Sequence, residues 1–138
     1  MTTDLVLIKP DQTVGEALVV MFERDIRHLP VVENGGLAGI VSDRDIQQFL
    51  GKAGFPGNDR RKEDRSLQAP VREVMSRHPI TVAPKMSIRE GVKIMTQHKV
   101  GALPVVDYDE KIIGIFTEID ALEYCLHLID RYEGPERL

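Results

Sequence analysis

The chain has 138 residues, of which 42% are hydrophobic and 29% charged, and its formal net charge is −4. This composition is typical of a folded globular domain, and the acidic balance argues against a general nucleic-acid binder, which would carry a basic surplus. The single cysteine excludes an intrachain disulfide, no apolar run approaches the ~18 residues of a membrane span, and the first residues lack the basic segment of a signal peptide. We therefore expect a cytoplasmic protein with no membrane association.

The first elements predicted along the chain are a strand and a helix. Leu5 to Ile8 form a short apolar run that ends before Pro10, as is typical of a buried strand. Thr13 stands three residues before Glu16, which is the spacing of a capping box. Apolar residues at helical spacing follow, so the pattern predicts a helix over residues 14–25.

Two more strands and a second helix follow. The runs Leu29 to Val32 and Leu37 to Val41 read as strands that flank a tight turn at Glu33 to Gly36. Ser42 is the expected N-cap of the next helix. The first fifty residues therefore predict the order strand, helix, strand, strand, helix.

Residues 51–69 read as a charged linker. Glycine, proline and a mixed-charge run from Asn58 to Ser66 predict a solvated connector, and the alternative is a loop that closes over an anionic ligand. Pro70 to Met75 predict a short helix that leads into the second half, residues 70–132. The last helix, about 118–132, is apolar on more than one face, which favours a face shared with another chain.

The chain repeats itself. Residues 1–50 match 75–125 at an offset of 74 that becomes 75 near position 110. The capping-box spacing recurs at Ser87 and Glu90. A repeat of this kind predicts two copies of one supersecondary unit, which together give an α/β (α+β) fold of two β-α-β-β-α repeats packed about a pseudo-two-fold axis. Two related clefts between the copies could then each bind a ligand.

One pattern in each copy has the chemistry of a binding site. Gly-x-x-[Ser/Thr]-x-x-Asp occurs from Gly39 to Asp45 and again from Gly114 to Asp120. A hydroxyl at a helix start lies beside free N–H groups that attract anions, and a carboxylate three residues later can accept from two ribose hydroxyls. That combination suits a nucleotide. The alternative is an ordinary N-cap followed by a dipole-favoured acid.

These motifs, together with Met-[Ser/Thr], [Ser/Thr]-x-x-Glu and Leu-Pro-Val-Val, are similar to the cystathionine β-synthase (CBS) domain. The two copies resemble a tandem CBS pair, or Bateman module, over residues 1–50 and 75–126. The resemblance implies a regulatory sensor without catalytic activity that binds AMP, ADP or ATP, with S-adenosylmethionine or NAD also possible. It further implies a homodimer and a separate, unknown effector protein.

The resemblance implies that Asp45 binds ribose and Ser42 a phosphate. Residue 28 matches a position that often supplies a cation, and here it is His28, with Arg27 and Arg44 nearby. The alternative is that His28 is a strand histidine with ordinary hydrogen bonds. The other residues implied for this site come from further along the chain and are Ser76, Ile80, Thr81, Val82, Val100 and Gly101.

For the second site the resemblance implies Asp120 and Thr117, and the residues implied to line it are Thr2, Val6, Leu7, Ile8 and Ile26. The positions equivalent to Arg27, His28 and Arg44 hold Gly101, Ala102 and Ile119. Three potential cations are thereby lost. We therefore predict that the Asp45 site prefers polyphosphorylated nucleotides and that the Asp120 site is weaker, apolar-selective or empty.

Other functions have weaker support. The four histidines lack metal-ligand spacing, Cys125 is expected to be an inert buried thiol, and no Gly-x-Ser-x-Gly elbow presents a nucleophile, so we predict no metal site and no enzyme. One alternative is an oligomerisation scaffold with degenerate sites that binds no nucleotide. Another is nucleic-acid binding through Arg60 to Lys62, which the neighbouring acids disfavour.

Overall fold

The computed structural model describes residues 3–52 and 65–132. Contacts within the chain divide it into two compact units. The N-terminal unit is Val6–Pro79, and the C-terminal unit joins residues 80–132 with residues 3–5. Residues 70–79, which begin the second half in the sequence, thus pack within the N-terminal unit. Helices and small antiparallel sheets alternate in both units, which confirms the α+β class.

The N-terminal unit has a three-stranded sheet with two longer helices. Its strands lie in the order β1-β2-β3, and β1 pairs with β2 around Asn34 and Gly35, which both have positive φ as a two-residue hairpin turn requires. Its elements are α1 (Val14–Arg24), β1 (His28–Glu33), β2 (Gly36–Ser42), α2 (Asp43–Lys52), a 3-10 turn (Val71–Glu73) and β3 (Ser76–Arg77).

The C-terminal unit repeats this plan with a two-stranded sheet. Its elements are α3 (Ile88–His98), β4 (Ala102–Val106), β5 (Ile112–Thr117) and α4 (Glu118–Tyr132). The pairing of β4 with β5 shifts register between Val105 and Val106, as the pairing of β1 with β2 does between Val31 and Val32. The repeat in the sequence is therefore also a repeat in strand register.

Each unit buries its own apolar cluster between its sheet and its helices. Leu29 and Leu103 occupy equivalent positions in β1 and β4, and both are fully buried. The other buried members are Ile8, Val14, Ala17, Met21, Val31, Val41, Ile46 and Val71 in the N-terminal unit, and Val82, Met95, Val105 and Phe116 in the C-terminal unit.

The buried strand predicted at Leu5 to Ile8 is wrong. Only Ile8 pairs, through a single parallel bridge to Val31, and the Leu7 side chain is 44% exposed. The Ile8 N–H donates to the Pro30 carbonyl at 3.0 Å, but the chain then turns, because the Gln12 N–H donates to the Lys9 carbonyl and Pro10 has no N–H. Val82 makes the equivalent bridge to Val105 in the C-terminal unit.

Both predicted capping sites are present at helix starts, but only the second is a complete box. Ser87 accepts from the Glu90 N–H at 3.1 Å, and the Glu90 carboxylate accepts from the Ser87 N–H at 3.4 Å. Thr13 accepts from the Glu16 N–H at 3.1 Å, whereas the Glu16 carboxylate accepts from the Gln12 side-chain amide instead. The first capping box is therefore half formed, because a nearer donor binds its acid.

Three further expectations need correction or fall partly outside the described residues. The helix predicted at 70–75 is a 3-10 turn of three residues, since the N–H groups of Val71 and Arg72 donate to residues 12 and 10. Cys125 is exposed, because α4 contributes no buried residue among those described. The predicted connector lies outside the described residues at 53–64, and residues 65–67 are helical.

Candidate functional site

The hydroxyl and the acid of the motif meet where β2 passes into α2. Ser42 is the last residue of β2, and its Oγ accepts from the Asp45 N–H at 3.1 Å. The Asp45 Oδ2 accepts in return from the Ser42 N–H at 2.9 Å. Both side chains are half-buried. This reciprocal pair fixes the carboxylate at the N-terminus of α2, where the helix dipole favours negative charge.

The same arrangement recurs where β5 passes into α4. The Thr117 N–H donates to Asp120 Oδ2 at 2.8 Å, and the Asp120 N–H donates to Thr117 Oγ1 at 3.4 Å. The Thr117 hydroxyl lies 3.2 Å from the same Oδ2. In both copies the hydroxyl and the Oδ2 atom of the acid therefore form an ordinary cap at the helix N-terminus.

The cap uses one carboxylate oxygen of each acid and leaves the other oxygen available to accept hydrogen bonds. Within residues 3–52 and 65–132, no hydrogen bond or ion pair involves Oδ1 of Asp45 or of Asp120. A carboxylate oxygen has two lone-pair sites, so each Oδ1 can accept from hydroxyl groups of a ligand. Capping and ribose binding are thus compatible roles for one side chain, since each uses a different oxygen.

The charges around the two acids differ. His28 begins β1 opposite Ser42, and the Arg27 carbonyl accepts from the Asp43 N–H at 3.0 Å, so both residues lie at the start of α2. Arg44 lies in the first turn of α2, and both arginines are exposed. Three basic residues thus stand beside the Ser42 and Asp45 pair, together with the acidic Asp43 in the same turn of α2.

The equivalent positions in the C-terminal unit have no charge. Ala102 pairs with Thr117, and the Gly101 carbonyl accepts from the Glu118 N–H at 3.0 Å. Ile119 takes the place of Arg44 and is exposed. The backbone frame is therefore the same in the two copies, whereas the cationic side chains occur in only one.

The other predicted site residues divide between the units. Ser76 lies in β3 opposite Ile40, close to the end of β2, while Leu7 and Ile26 precede the strands of the N-terminal unit. Ile80, Thr81 and Val82 lie before α3, Val100 and Gly101 lie between α3 and β4, and Thr2 is outside the described residues. The union of residues from the two units into one cleft stays a prediction.

Sequence reasoning missed an open apolar cavity of about 130 Å³ within the C-terminal unit. It lies between the segment that begins at Val82, the start of α3, and the side chain of Phe116 on β5. Spacing alone carries no signal for this cavity, since Ile88 and its counterpart Val14 are both apolar residues at the first position of a helix, yet Val14 is buried and Ile88 is exposed.

Two absences hold for the part of the chain that the structure describes. No group of three or more His, Cys, Asp or Glu side chains is placed to hold a metal ion. None of the described helices combines the length and the apolar character needed to cross a bilayer.

Comparison with known proteins identifies the family. The family model of the CBS domain matches residues 1–52 and 71–127. The chain belongs to the CBS domain family. The two matched segments are the two repeats, and the hydroxyl and acid pair occurs in each of them.

Similar proteins are found in bacteria and archaea. The CBS domain-containing protein YhcV of Bacillus subtilis is 36% identical over 115 residues, which are 83% of this chain and 74% of that protein. The structure of MJ1225 from Methanocaldococcus jannaschii is 31% identical with a TM-score of 0.79, and the match covers 91% of this chain and 45% of that one. This chain therefore spans about half the length of MJ1225.

A second similar structure contains a ligand. The crystal structure of CBSX2 in complex with AMP is 27% identical to this chain, with a TM-score of 0.75, and the match covers 93% of both chains. The fold of a CBS pair thus extends over nearly all of the chain.

Proposed function

We propose that the chain is a regulatory module that binds an adenosine-containing nucleotide, most simply AMP, ADP or ATP. The observation that carries this proposal is the pair of acids, Asp45 and Asp120, each fixed by a reciprocal cap with Oδ1 left to accept. The AMP complex of CBSX2, a similar protein of the same length class, supports the choice of ligand class.

The proposed site at Asp45 binds the ribose and the phosphates with different groups. Oδ1 of Asp45 accepts from the two ribose hydroxyls, while Ser42 and the N-terminus of α2 face a phosphate. Arg27, His28 and Arg44 supply positive charge. In this proposal the base packs against Ile80, Thr81, Val82, Val100 and Gly101.

These contacts are sufficient for a sensor. Hydrogen bonds from charged donors contribute roughly 1.5–3 kcal/mol each, and two of them together with burial of an adenine support binding of about −8 kcal/mol. That free energy corresponds to a Kd of about 1 μM. The site at Asp120, which lacks the cations, is proposed to be weaker or selective for a less charged ligand.

The proposed output is a change in the packing of the two repeats when a ligand bridges them, read by a separate effector protein in the cytoplasm. We also propose a homodimer that uses α4, because exposed apolar residues of this extent usually mark an interaction surface. The seven large apolar residues exposed on α4 are Ile119, Leu122, Tyr124, Leu126, Leu128, Ile129 and Tyr132. In this proposal the chain regulates and performs no catalysis itself.

A thermal-shift panel with AMP, ADP, ATP, S-adenosylmethionine and NAD tests the proposal. A ligand at 100 times its Kd stabilises the folded protein by about 2.7 kcal/mol, so at least one nucleotide should raise the Tm clearly. The doubly substituted chain Asp45→Asn, Asp120→Asn should lose the shift. An asparagine oxygen can still accept from the capping N–H, so this variant keeps its helix starts while it loses both carboxylates.

The matched control is the pair Asp43→Asn and Glu118→Gln, which removes one charge from the first turn of α2 and of α4 at the neighbouring equivalent positions. These variants should retain the full shift. A panel in which no ligand raises the Tm of the unsubstituted protein would favour the alternative of a scaffold with degenerate sites.

A further inference from the structure

In the N-terminal unit, an extended segment of the chain covers the start of α1. The Val14 N–H donates to the Ala69 carbonyl at 2.9 Å, Pro70 forms a bridge with Thr13, and the Val71 N–H donates to the Gln12 carbonyl at 2.8 Å. The Val71 side chain is fully buried. The segment is extended at Pro70 and then enters the 3-10 turn Val71–Glu73, and it is held by three backbone hydrogen bonds and one apolar anchor. Main-chain hydrogen bonds combined with a side-chain pocket are a common mode of peptide recognition.

Among residues 3–52 and 65–132, no segment takes the equivalent position over the C-terminal unit. Val14 is 0% exposed, but its counterpart Ile88 is 41% exposed. Pro10 is buried and its counterpart Pro84 is exposed. The cavity of about 130 Å³ opens at this place, between Pro84, Ile88 and Phe116. We call the surface formed by residues 82–91 the C-terminal groove.

The backbone groups that hold the covering segment also recur there without partners. In the N-terminal unit these groups are the Val14 N–H and the carbonyls of Gln12 and Pro10. Their counterparts are the Ile88 N–H and the carbonyls of Met86 and Pro84. Among the described residues, none of these three takes part in a backbone hydrogen bond. The groove thus offers one donor and two acceptors in the arrangement that holds residues 69–72 in the N-terminal unit.

The charge beside the groove is reversed relative to the N-terminal unit. Arg72 of the covering segment forms an ion pair with Asp11. The position equivalent to Asp11 is Lys85, and the position equivalent to Gly15 is Arg89, both exposed. A basic residue in the place of Arg72 would meet like charge at Lys85, whereas an acidic residue would be attracted.

We propose that the C-terminal groove is a docking site for a short segment of a partner protein with the pattern small residue, proline, aliphatic residue, acidic residue. The small residue and the proline follow Ala69 and Pro70, and the aliphatic side chain enters the cavity as Val71 enters its pocket. The acidic residue pairs with Lys85. A second copy of this chain is disfavoured as the occupant, because its own segment carries Arg72 and is already bound in its N-terminal unit.

Nuclear magnetic resonance titration of the full chain tests the proposal. The probe is a blocked heptapeptide with the sequence of residues 68–74 that carries Arg72→Glu. Amide shifts should change at residues 82–91 and at Val105, with a Kd on the order of 100 μM, because so small an interface belongs to the weak, transient class. A peptide that also carries Val71→Asp should not bind.

Protein variants define the groove. Ile88→Lys should abolish binding, while the matched control Val19→Lys should leave it unchanged, because Val19 is 55% exposed on α1 and its counterpart is already Lys93. Lys85→Asp should reverse the preference, so that the unaltered Arg72 peptide binds about two- to fivefold better than the Glu peptide, as expected for an exposed ion pair.

Three results would overturn the proposal. One is that the amide shifts of residues 82–91 stay unchanged at peptide concentrations well above the expected Kd. Another is that the peptide carrying Val71→Asp still binds. The third is a lower sedimentation coefficient of the free protein on Ile88→Lys, since the groove would then hold a second copy. Unchanged amide shifts in the N-terminal unit verify that each variant is folded.

Discussion

The two units have the same backbone arrangement but differ in their charged side chains and in the covering of their first helix. Strand register, the bulge after Val31 and Val105, and the hydroxyl and acid pair at the last helix are the same in both. The N-terminal unit adds cations at Arg27 and Arg44 and covers the start of its first helix, whereas the C-terminal unit leaves both places uncharged or open. The two repeats therefore share their backbone geometry, whereas their side-chain chemistry has diverged.

The cores diverge by exchange of volume. The positions of Ala17 and Val41 in the N-terminal unit are held by Gly91 and Phe116 in the C-terminal unit. A Cβ atom on Gly91 would lie 3.2 Å from a ring carbon of Phe116. The larger ring on β5 thus requires the smaller residue on α3, and the total volume is approximately retained.

The largest expected effect tests whether the two cores are equally important. Leu29→Ala and Leu103→Ala each remove a fully buried side chain at equivalent positions, so each should lower the free energy of unfolding by about 2–5 kcal/mol. Urea unfolding followed by circular dichroism measures both. If one substitution costs less than about 1 kcal/mol, the two clusters are not equivalent cores.

A second comparison concerns the covered and the open helix start. Val14→Ala should cost about 2 kcal/mol, because the side chain is fully buried under residues 69–72. Ile88→Ala should cost about 1 kcal/mol although it removes a larger side chain, because that side chain is 41% exposed. Equal losses in chemical denaturation would show that the C-terminal groove is covered in solution.

The smallest expected effect is the coupling between Gly91 and Phe116. Gly91→Ala alone overpacks the C-terminal core, and Phe116→Val alone leaves a cavity. Together they reproduce the arrangement of the N-terminal unit, so a double-mutant cycle should give a favourable coupling of about 1 kcal/mol. Additive losses would mean that the two side chains do not share the volume that the 3.2 Å approach indicates.

Local patterns predicted the elements that depend on nearby residues. The tight turn at Asn34, the cap at Ser42 and the last helix over residues 118–132 agree with the structure, because each depends on hydrogen bonds or periodicity within a few positions. The motif likewise placed the hydroxyl and the acid together in both copies.

Features that depend on distant contacts were not predicted. The strand expected at Leu5 to Ile8 consists of a single bridge from Ile8 to Val31 of β1, because the chain turns at Pro10 directly after it. The covering of Val14 by Ala69 joins residues more than fifty positions apart, and no local spacing encodes it. The open groove follows from the same limit, since it is visible only when the two units are compared.

Isothermal titration of ATP into the unsubstituted chain, Asp45→Asn and Asp120→Asn tests the central claim most directly. Asp45→Asn should weaken binding by about tenfold or more, because it removes a charged acceptor beside the cations, while Asp120→Asn should change the affinity by less than about threefold. Loss of binding in Asp120→Asn alone, or unchanged binding in both variants, would contradict the account.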